Sequence, residues 1–167
     1  MATLEKIKYV RFYFLILIFS LVLGLLTSCG SKKRVAYKLS QEEKIVNYAK
    51  SYLNTPYQYG GTSARGMDCS GLIQTSFYQY GVKMPRSTKK LLKTGRKKPL
   101  RKAELGDLVF FRTAKRSRKK NHVGIVTRVN GREIEFIHSS TSRGVMISTL
   151  ENPYWKKAFA EMRRYIK

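Results

Sequence analysis

The sequence predicts an α+β domain, with helices in the first part of the chain and antiparallel strands in the second. Apolar residues recur at helical spacing up to about Tyr80, whereas segments rich in Val, Ile and Phe follow Gly106. Asn130-Gly131 lies between two of these segments and is typical of a hairpin turn, which makes the strands antiparallel. The 167 residues are enough for one domain with a hydrophobic core. We therefore expect N-terminal helices packed on a C-terminal sheet of five or six strands.

Three helices are predicted in the first part of the chain. The residues Ser40 to Glu43 have the pattern of a capping box, in which a serine at the N-cap and a glutamate three residues later satisfy each other's backbone N–H groups. Gly81 and Gly95 are typical of helix ends, and Tyr57 to Gly61 forms a glycine-rich turn. The predicted helices cover 41–53, from Asp68 or Cys69 to Tyr80, and from Thr88 to Lys93.

Short segments rich in β-branched and aromatic residues predict the strands of the second part. The predicted strands cover 108–112, 123–129, 133–139, 145–148 and 161–166, and Asn152-Pro153 begins a brief helical turn.

The charge of the chain is strongly positive. Lys and Arg number 34 against 10 Asp and Glu, which gives a formal net charge of +24. A surface this basic attracts polyanions, and nucleic acid, anionic cell-wall polymer and membrane lipid are the candidates. The location of the protein decides between them.

The N-terminal residues predict export. Lys6, Lys8 and Arg11 precede an apolar run over 12–26 that is shorter than the roughly 20 residues needed to cross a bilayer, so residues 1–28 have the features of a secretory signal. The end of this run, Leu26 to Cys29, resembles a bacterial lipobox. That resemblance implies that a lipidated Cys29 begins the mature protein. An uncleaved anchor helix is the alternative.

Three segments follow from this reading: a lipoprotein signal peptide at 1–28, a basic tether at 29–39 and a domain at 40–167. Because the domain is exported and tethered to a membrane, we expect no nucleic-acid partner. Gly30, rather than Asp, follows the lipidated cysteine, which by analogy favours the outer membrane.

Cys69 is the one cysteine left for chemistry, since a lipidated Cys29 cannot form a disulfide with it. His122 and His138 are the only histidines in the chain. A free thiol and two imidazoles are the minimum set for a cysteine hydrolase, which needs a nucleophile, a base and a group that orients the base. Metal binding is not predicted, because these residues leave no credible ligand set.

Cys69 is expected in the first turn of the second helix. Unpaired backbone N–H groups there lower the pKa of a thiol and can bind an oxyanion. Gly66 and Gly71 are expected to leave room for substrate and for close packing. The alternative is a buried structural cysteine, which the neighbouring Asp68 and Ser70 argue against.

His122 begins a predicted strand, and Gly124 is expected to keep that face of the strand open. His138 would fix the tautomer of His122, provided that both side chains lie on one face of the sheet. A two-residue Asn130-Gly131 turn would put them on opposite faces. We therefore predict a three-residue loop over 129–131, which pairs Arg128 with Arg132 and His122 with His138, or an equivalent bulge further along.

Six motifs in order resemble those of the NlpC-type cell-wall cysteine peptidases, over about residues 40–167. They are Pro56-Tyr57-Gln58-Tyr59-Gly60-Gly61, Asp68-Cys69-Ser70-Gly71, Pro85-Arg86-Ser87-Thr88, Leu105-Gly106-Asp107-Leu108-Val109-Phe110-Phe111, His122-Val123-Gly124-Ile125 and Ile137-His138-Ser139-Ser140.

The resemblance implies a papain-like fold and hydrolysis of peptidoglycan stem peptides, typically between D-glutamate and the diamino acid. It implies Cys69 as nucleophile, His122 as base and His138 as the third member. Tyr57 would stabilise the oxyanion, and Asp68 and Ser70 would bind the N-terminal end of the stem peptide, with Arg86 and Ser87 as further substrate contacts. The expected protein is a monomer without a cofactor.

Other functions remain open at this point. The same residues could serve an amidase or an acyltransferase, and the fold could serve a non-catalytic wall-binding lipoprotein of the envelope. A nucleic-acid module is supported only by charge. The basic loop from Lys115 to Lys120 departs from the family pattern, and it is either a solvated surface or a site for carboxylates of the wall.

Overall fold

The computed structural model describes residues 13–18, 38–113 and 119–166. Residues 13–18 are helical, and a separate compact unit begins at Lys38. None of the helices described in these ranges is long and apolar enough to cross a membrane. The predicted lipidation site Cys29, the tether up to residue 37 and most of the predicted basic loop, at 114–118, lie outside the described residues.

The first helix of the domain, α1, covers Gln41–Lys50 and begins as predicted. Ser40 Oγ accepts a hydrogen bond from the backbone N–H of Glu43, and the carboxylate of Glu43 accepts one from the N–H of Ser40, so the capping box is confirmed. The helix ends earlier than the predicted residue 53, because turns extend from Ser51 to the left-handed Asn54.

Two further helices follow α1 along the chain, before the strands of the main sheet. Helix α2 covers Cys69–Tyr78, with Asp68 as its N-cap, and helix α3 covers Thr88–Leu91. A small hairpin of β1, Thr62–Ser63, and β2, Gly66–Met67, precedes α2 and was not predicted.

The main sheet has six antiparallel strands, which confirms the α+β class. Its order is β3-β8-β4-β5-β6-β7. The strands are β3, Arg96–Lys98; β4, Leu108–Phe111; β5, His122–Asn130; β6, Glu133–Ser140; β7, Gly144–Thr149; and β8, Phe159–Arg164. A 3₁₀ turn at Leu100–Lys102 follows β3, and helix α4 at Pro153–Ala158 precedes β8.

The edge strand β3 was missed because its sequence is entirely basic and lacks the apolar alternation that indicates a strand. Such an edge is common in natural sheets, since lysine-rich edges discourage pairing with another chain. The last strand is shifted toward the N-terminus from the predicted 161–166, because α4 runs directly into it.

The hairpin between β5 and β6 has a two-residue turn. Asn130 pairs with Glu133, so Gly131 and Arg132 form the turn, and Gly131 has a φ of 59°. A positive φ at the first central residue suits the twist of a hairpin and is easy for glycine. The predicted three-residue loop and its pairing of Arg128 with Arg132 are therefore wrong.

The alternative, a bulge further along, is confirmed. The register of β5 and β6 shifts between Val126 and Arg128. A one-residue shift moves every following side chain to the other face, and this brings His122 and His138 to the same face. Beyond the bulge, Gly124 rather than His122 lies opposite His138, so the two imidazoles are diagonal neighbours.

The sheet has an apolar cluster on each face. One cluster joins α1 and α2 to the sheet, and Cys69 packs against it; it includes Ile45, Leu72, Phe77, Phe110, Val123 and Ile137. The other cluster lies on the opposite face beneath α4 and includes Val109, Phe111, Phe136, Met162 and the partly buried Trp155. The candidate site lies where β5 begins, between these two clusters.

Candidate active site

Cys69 is the first residue of α2 and is a free, partly buried cysteine. Its sulfur lies 3.9 Å from Thr88 Oγ1. Burial raises the pKa of the thiol, and the Asp68 carboxylate adds to this, while hydrogen bonds from Thr88 and from the N–H groups of Val123 and Ser70 act in the opposite direction. The predicted lowering of this pKa is therefore wrong, because desolvation of the sulfur outweighs the N–H groups at the helix start.

Asp68 is held in a dense hydrogen-bond network just before the nucleophile. Its Oδ1 accepts from the N–H of Gly71 at 2.7 Å and from Ser70 Oγ at 3.1 Å, and its Oδ2 accepts from the N–H of Gly60 at 2.8 Å. Arg86 donates to both oxygens, at 2.9 and 2.8 Å. Burial alone would raise the pKa of Asp68, but Arg86 and the two N–H groups hold it below its usual value.

This network fixes the start of α2 and the turn before it. Arg86 also donates to Ser70 Oγ at 2.8 Å and to the carbonyl oxygen of Gly61 at 3.3 Å. A Cβ on Gly71 would collide with that same carbonyl oxygen. The expected free space at Gly71 is therefore occupied by the glycine-rich turn, which packs directly on the helix.

Gly66 makes a similar close approach. A Cβ there would meet the Gln58 side chain, so this glycine also serves packing of the turn rather than access of substrate.

The two histidines are in direct contact. His122 Nε2 lies 3.0 Å from His138 Nδ1, and His138 Nε2 lies 3.0 Å from Ser148 Oγ on the next strand. This chain of polar contacts confirms the expected contact of His138 with His122. Gly124 does not keep the face open as expected: a Cβ there would lie 2.7 Å from the Phe136 ring and 3.3 Å from the Cβ of His138.

Trp155 covers both imidazoles and was not identified from the sequence. Its ring is stacked on His122, with centroids 5.6 Å apart and planes at 23°, and meets His138 at 4.7 Å and 68°. Phe111 and Phe136 complete the aromatic surroundings. The sequence offered one signal for this residue, since Trp155 is the only tryptophan of the chain. Its position over the histidines, however, depends on the fold.

Burial in this aromatic cluster keeps the imidazoles neutral. Desolvation lowers the pKa of His122 to about 4. Desolvation, together with the nearby His122 and Arg143, lowers the pKa of His138 to about 3. At neutral pH the site therefore holds an uncharged thiol and two uncharged imidazoles.

The thiol of Cys69 lies next to the backbone of the segment that carries His122. The sulfur of Cys69 accepts a hydrogen bond from the N–H of Val123, the residue next to His122, and Asn121 on the other side of His122 lines the same cavity as the sulfur. In the part of the chain that the structure describes, the two side chains do not form a hydrogen bond with each other. Such contacts are often long in free enzymes and shorten when substrate binds.

Two cavities flank this point. The cavity on the thiol side has a volume of about 390 Å³ and is lined by Cys69 and every other predicted substrate-contact residue. Those residues are Tyr57, Asp68, Ser70, Arg86 and Ser87. The second cavity has a volume of about 450 Å³ and is lined by both histidines, Trp155 and Arg143.

Tyr57 and Ser87 line the same cavity but have different surroundings. Burial, with the nearby Cys69 and Asp68, raises the pKa of Tyr57, so its hydroxyl keeps its proton and can donate. Ser87 is the N-cap of α3, and its Oγ accepts from the N–H of Lys90 at 3.4 Å. Its capping role alone accounts for a serine at this position.

Part of the positive charge at the described end of the predicted basic loop is neutralised by an ion pair. Lys120 forms an ion pair with the buried Glu161 of β8, and Glu161 also accepts from Arg163 at 2.6 Å. Lys120 is thus a structural residue rather than a free cation for wall carboxylates.

The sequence profile described as the NlpC/P60 family matches residues 54–164. The chain belongs to this family. Over 117 residues it is 44% identical to the protein named "Probable endopeptidase NlpC" of Escherichia coli K12, a match that covers 68% of this chain and 71% of that protein.

A second relative carries a more specific name. The chain is 37% identical over 126 residues to the "Murein DD-endopeptidase MepS/Murein LD-carboxypeptidase" of Escherichia coli K12, covering 75% of this chain and 63% of the relative. The chain thus spans about two thirds of the length of the curated relatives that it matches.

Among solved structures, an NlpC/P60 family protein from Bacillus cereus superimposes with a TM-score of 0.68 at 29% identity. The match covers 75% of this chain and 40% of that one. The papain-like architecture implied by the sequence is that of these NlpC/P60 neighbours.

Proposed function

We propose that this protein is a cysteine peptidase that hydrolyses amide bonds in the stem peptides of peptidoglycan. The observation that carries the proposal is the position of Cys69 at a helix start, in contact with the N–H of Val123, beside the histidine pair that begins the neighbouring strand. Peptidoglycan as the substrate follows from the family and from the names of its relatives.

The hydrogen bonds of the two imidazoles decide which nitrogen of His122 can act as base. His122 Nε2 is engaged with His138, so Nδ1 is the nitrogen left for the thiol. In the productive tautomer His122 Nε2–H donates to His138 Nδ1, and His138 Nε2–H donates to Ser148 Oγ. This arrangement leaves a lone pair on His122 Nδ1, whereas the opposite tautomers would place a proton there.

Attack begins from the neutral pair. His122 Nδ1 takes the proton of the Cys69 thiol as the sulfur bonds to the amide carbonyl carbon. The charge that develops on the carbonyl oxygen is stabilised by backbone N–H groups at the start of α2 and by the protonated Tyr57 hydroxyl. Burial favours this course, since a thiolate in the resting enzyme would have to be desolvated.

The intermediate then breaks its carbon–nitrogen bond. The imidazolium of His122 gives its proton to the leaving nitrogen, and the acyl part stays on the sulfur as a thioester. Water attacks the thioester while His122 takes a proton from it, which releases a carboxylic acid and restores the Cys69 thiol. No cofactor is needed in this sequence of steps.

The acyl part of the substrate is proposed to occupy the thiol-side cavity. Asp68 and Ser70 would face the amino end of the stem peptide, with Arg86 and Ser87 at the edge. Because Arg86 already neutralises Asp68 in the free protein, an incoming ammonium group would have to share or replace that ion pair.

We further propose an exported, monomeric lipoprotein, held by lipid on Cys29 at the outer membrane. The basic and apolar character of residues 1–28 and the lipobox-like sequence support this proposal. Mass spectrometry of the membrane-extracted protein would detect a lipidated N-terminal cysteine. A Cys29→Ser variant would lack the added mass of the lipid and would no longer be recovered in the membrane fraction.

The function is tested by digesting purified peptidoglycan with the protein and with a Cys69→Ala variant. Loss of the nucleophile lowers the rate by at least about 10⁴-fold, so new peptide ends should appear in the mass spectrum only with the unchanged protein. Equal digests would support a non-catalytic wall-binding lipoprotein instead. Cleavage of an amide outside the stem peptides would support the amidase alternative, and transfer of the acyl group to an added amine or alcohol instead of water would support the acyltransferase alternative.

A further inference from the structure

The cavity on the far side of His122 has no role in the steps above. It is lined by both imidazoles, Trp155 and Tyr154, and its other lining residues are polar or basic: Thr113, Ser140, Thr141, Ser142, Arg143 and Asn152. The sulfur of Cys69 does not line it; that atom opens on the thiol-side cavity.

The chemistry of amide cleavage assigns a fragment to each cavity, given the proposed function. The acyl fragment is bonded to sulfur and must stay on the side of Cys69. The leaving nitrogen must come within reach of His122, which donates its proton. The leaving fragment therefore extends into the cavity that His122 lines and Cys69 does not.

The charge of this cavity indicates what the leaving fragment carries. Arg143 is exposed in the turn between β6 and β7, and in the described ranges 38–113 and 119–166 it forms no ion pair with a carboxylate. It lies close enough to His138 to influence that imidazole electrostatically. A guanidinium in a cavity with hydroxyl and amide groups is suited to bind a carboxylate through paired hydrogen bonds.

We propose that this cavity binds the leaving amino acid and that Arg143 binds its free carboxylate. Arg143 is then a specificity residue, which favours amide bonds whose leaving residue has an unblocked carboxyl group over bonds whose leaving residue is amidated.

Two peptides of one sequence test this proposal, both with D-glutamate linked to diaminopimelate. In one the diaminopimelate carries free carboxylates, and in the other it carries carboxamides. The unchanged protein should cleave the first with a kcat/KM about tenfold higher, as expected for loss of a charged hydrogen-bond pair. Arg143→Gln should remove this preference by lowering only the rate on the carboxylate peptide.

Arg132→Gln is the matched control, because it makes the same charge change in the turn at the opposite end of strand β6. If Arg143→Gln and Arg132→Gln have equal effects, or if the unchanged protein cleaves both peptides equally, the proposal is wrong while the peptidase function stands.

If no peptide is cleaved, a binding measurement tests the cavity assignment independently of the proposed peptidase function. Trp155 is the only tryptophan and lines the cavity, so its fluorescence reports binding of free diaminopimelate or its diamide to the Cys69→Ala protein. A response to the diacid alone, abolished by Arg143→Gln, would support the cavity assignment even if the peptidase function failed. A response to neither compound, or to both equally, would contradict it.

Discussion

The two faces of the sheet hold the two halves of the site by different forces. On the helix side, the start of α2 is fixed by a buried carboxylate, a guanidinium and backbone N–H groups around Asp68. On the opposite side, His122 and His138 are held by one hydrogen bond between them and by the rings of Trp155 and Phe136.

This difference shows how one site can combine a fixed charge with neutral reacting groups. The carboxylate of Asp68 stays ionised because Arg86 and N–H donors compensate its burial. The imidazoles are buried among aromatic rings and polar groups without a nearby carboxylate, and they lose their charge. Charge interactions thus position the start of α2 beside the nucleophile, whereas packing of aromatic rings positions the imidazole of the base.

Among changes that leave the Cys69 thiol in place, the largest effect is expected at the contact between His138 and His122. His138→Ala removes the acceptor that keeps the proton on His122 Nε2, and we expect kcat to fall by about 10²-fold or more, with little change in KM. His138→Asn keeps an acceptor in place and should recover much of the activity. Ser148→Ala should cost less, because it removes only the outer contact.

Steady-state kinetics on a stem-peptide substrate give these values, and circular dichroism checks the fold of each variant. If His138→Asn were as slow as His138→Ala while both were folded, control of the tautomer by His138 would be excluded.

The next effect concerns stability on the helix side. Asp68→Ala leaves the Arg86 guanidinium without its partner and removes the N-cap of α2, so the free energy of unfolding should fall by about 3 kcal/mol. Asp68→Asn keeps a capping oxygen and should lose less. Urea unfolding of the three proteins measures the difference, and a change below about 0.5 kcal/mol for Asp68→Ala would show that the network contributes little.

The neutral imidazoles predict how stability depends on pH. An unfolded imidazole binds a proton below about pH 6.5, whereas burial lowers the pKa of His122 to about 4 and that of His138 to about 3. The unfolded state therefore binds more protons between these values. The free energy of unfolding should be constant from about one unit above pH 6.5 upward and should fall as the pH drops toward 4.

Urea unfolding at pH 7, 5.5 and 4.5 tests this dependence. A His122→Gln, His138→Asn double variant should show a flatter profile over the same range, and an unchanged slope would assign the dependence to other groups.

The smallest effect distinguishes a thiol from a thiolate in the resting enzyme. Because burial raises the pKa of Cys69, alkylation by iodoacetamide should be slower at pH 7 than for a cysteine in a free peptide and should rise steadily above pH 9. Mass spectrometry of the modified protein gives the rate. A plateau of fast alkylation below pH 7 would instead indicate a preformed thiolate–imidazolium pair.

Much of the helix side could be predicted from sequence because its determinants are local. The capping box at Ser40, the N-cap Asp68 before Cys69 and the glycine-rich turn all act within a few residues, so their geometry follows from the order of the residues. The order of helical and strand patterns was sufficient to predict the α+β class, and the motifs that resemble the NlpC family were sufficient to predict residues that line the thiol-side cavity.

Other features depended on contacts between distant segments. The contact of His122 with His138 required a bulge whose position the hairpin sequence does not specify, since a two-residue turn and a three-residue loop were both compatible with Asn130-Gly131. The basic edge strand β3 is a strand only because β8 pairs with it.

The order of residues by itself determined the helix starts, the antiparallel strands and the identity of the thiol and imidazoles, because capping and side-chain alternation are short-range effects. Only the tertiary structure decided that Trp155 covers the imidazoles, that the thiol stays protonated and that one cavity lies beside Cys69 and another beside the two histidines. Those properties depend on burial, which is the sum of contacts from segments far apart in the chain.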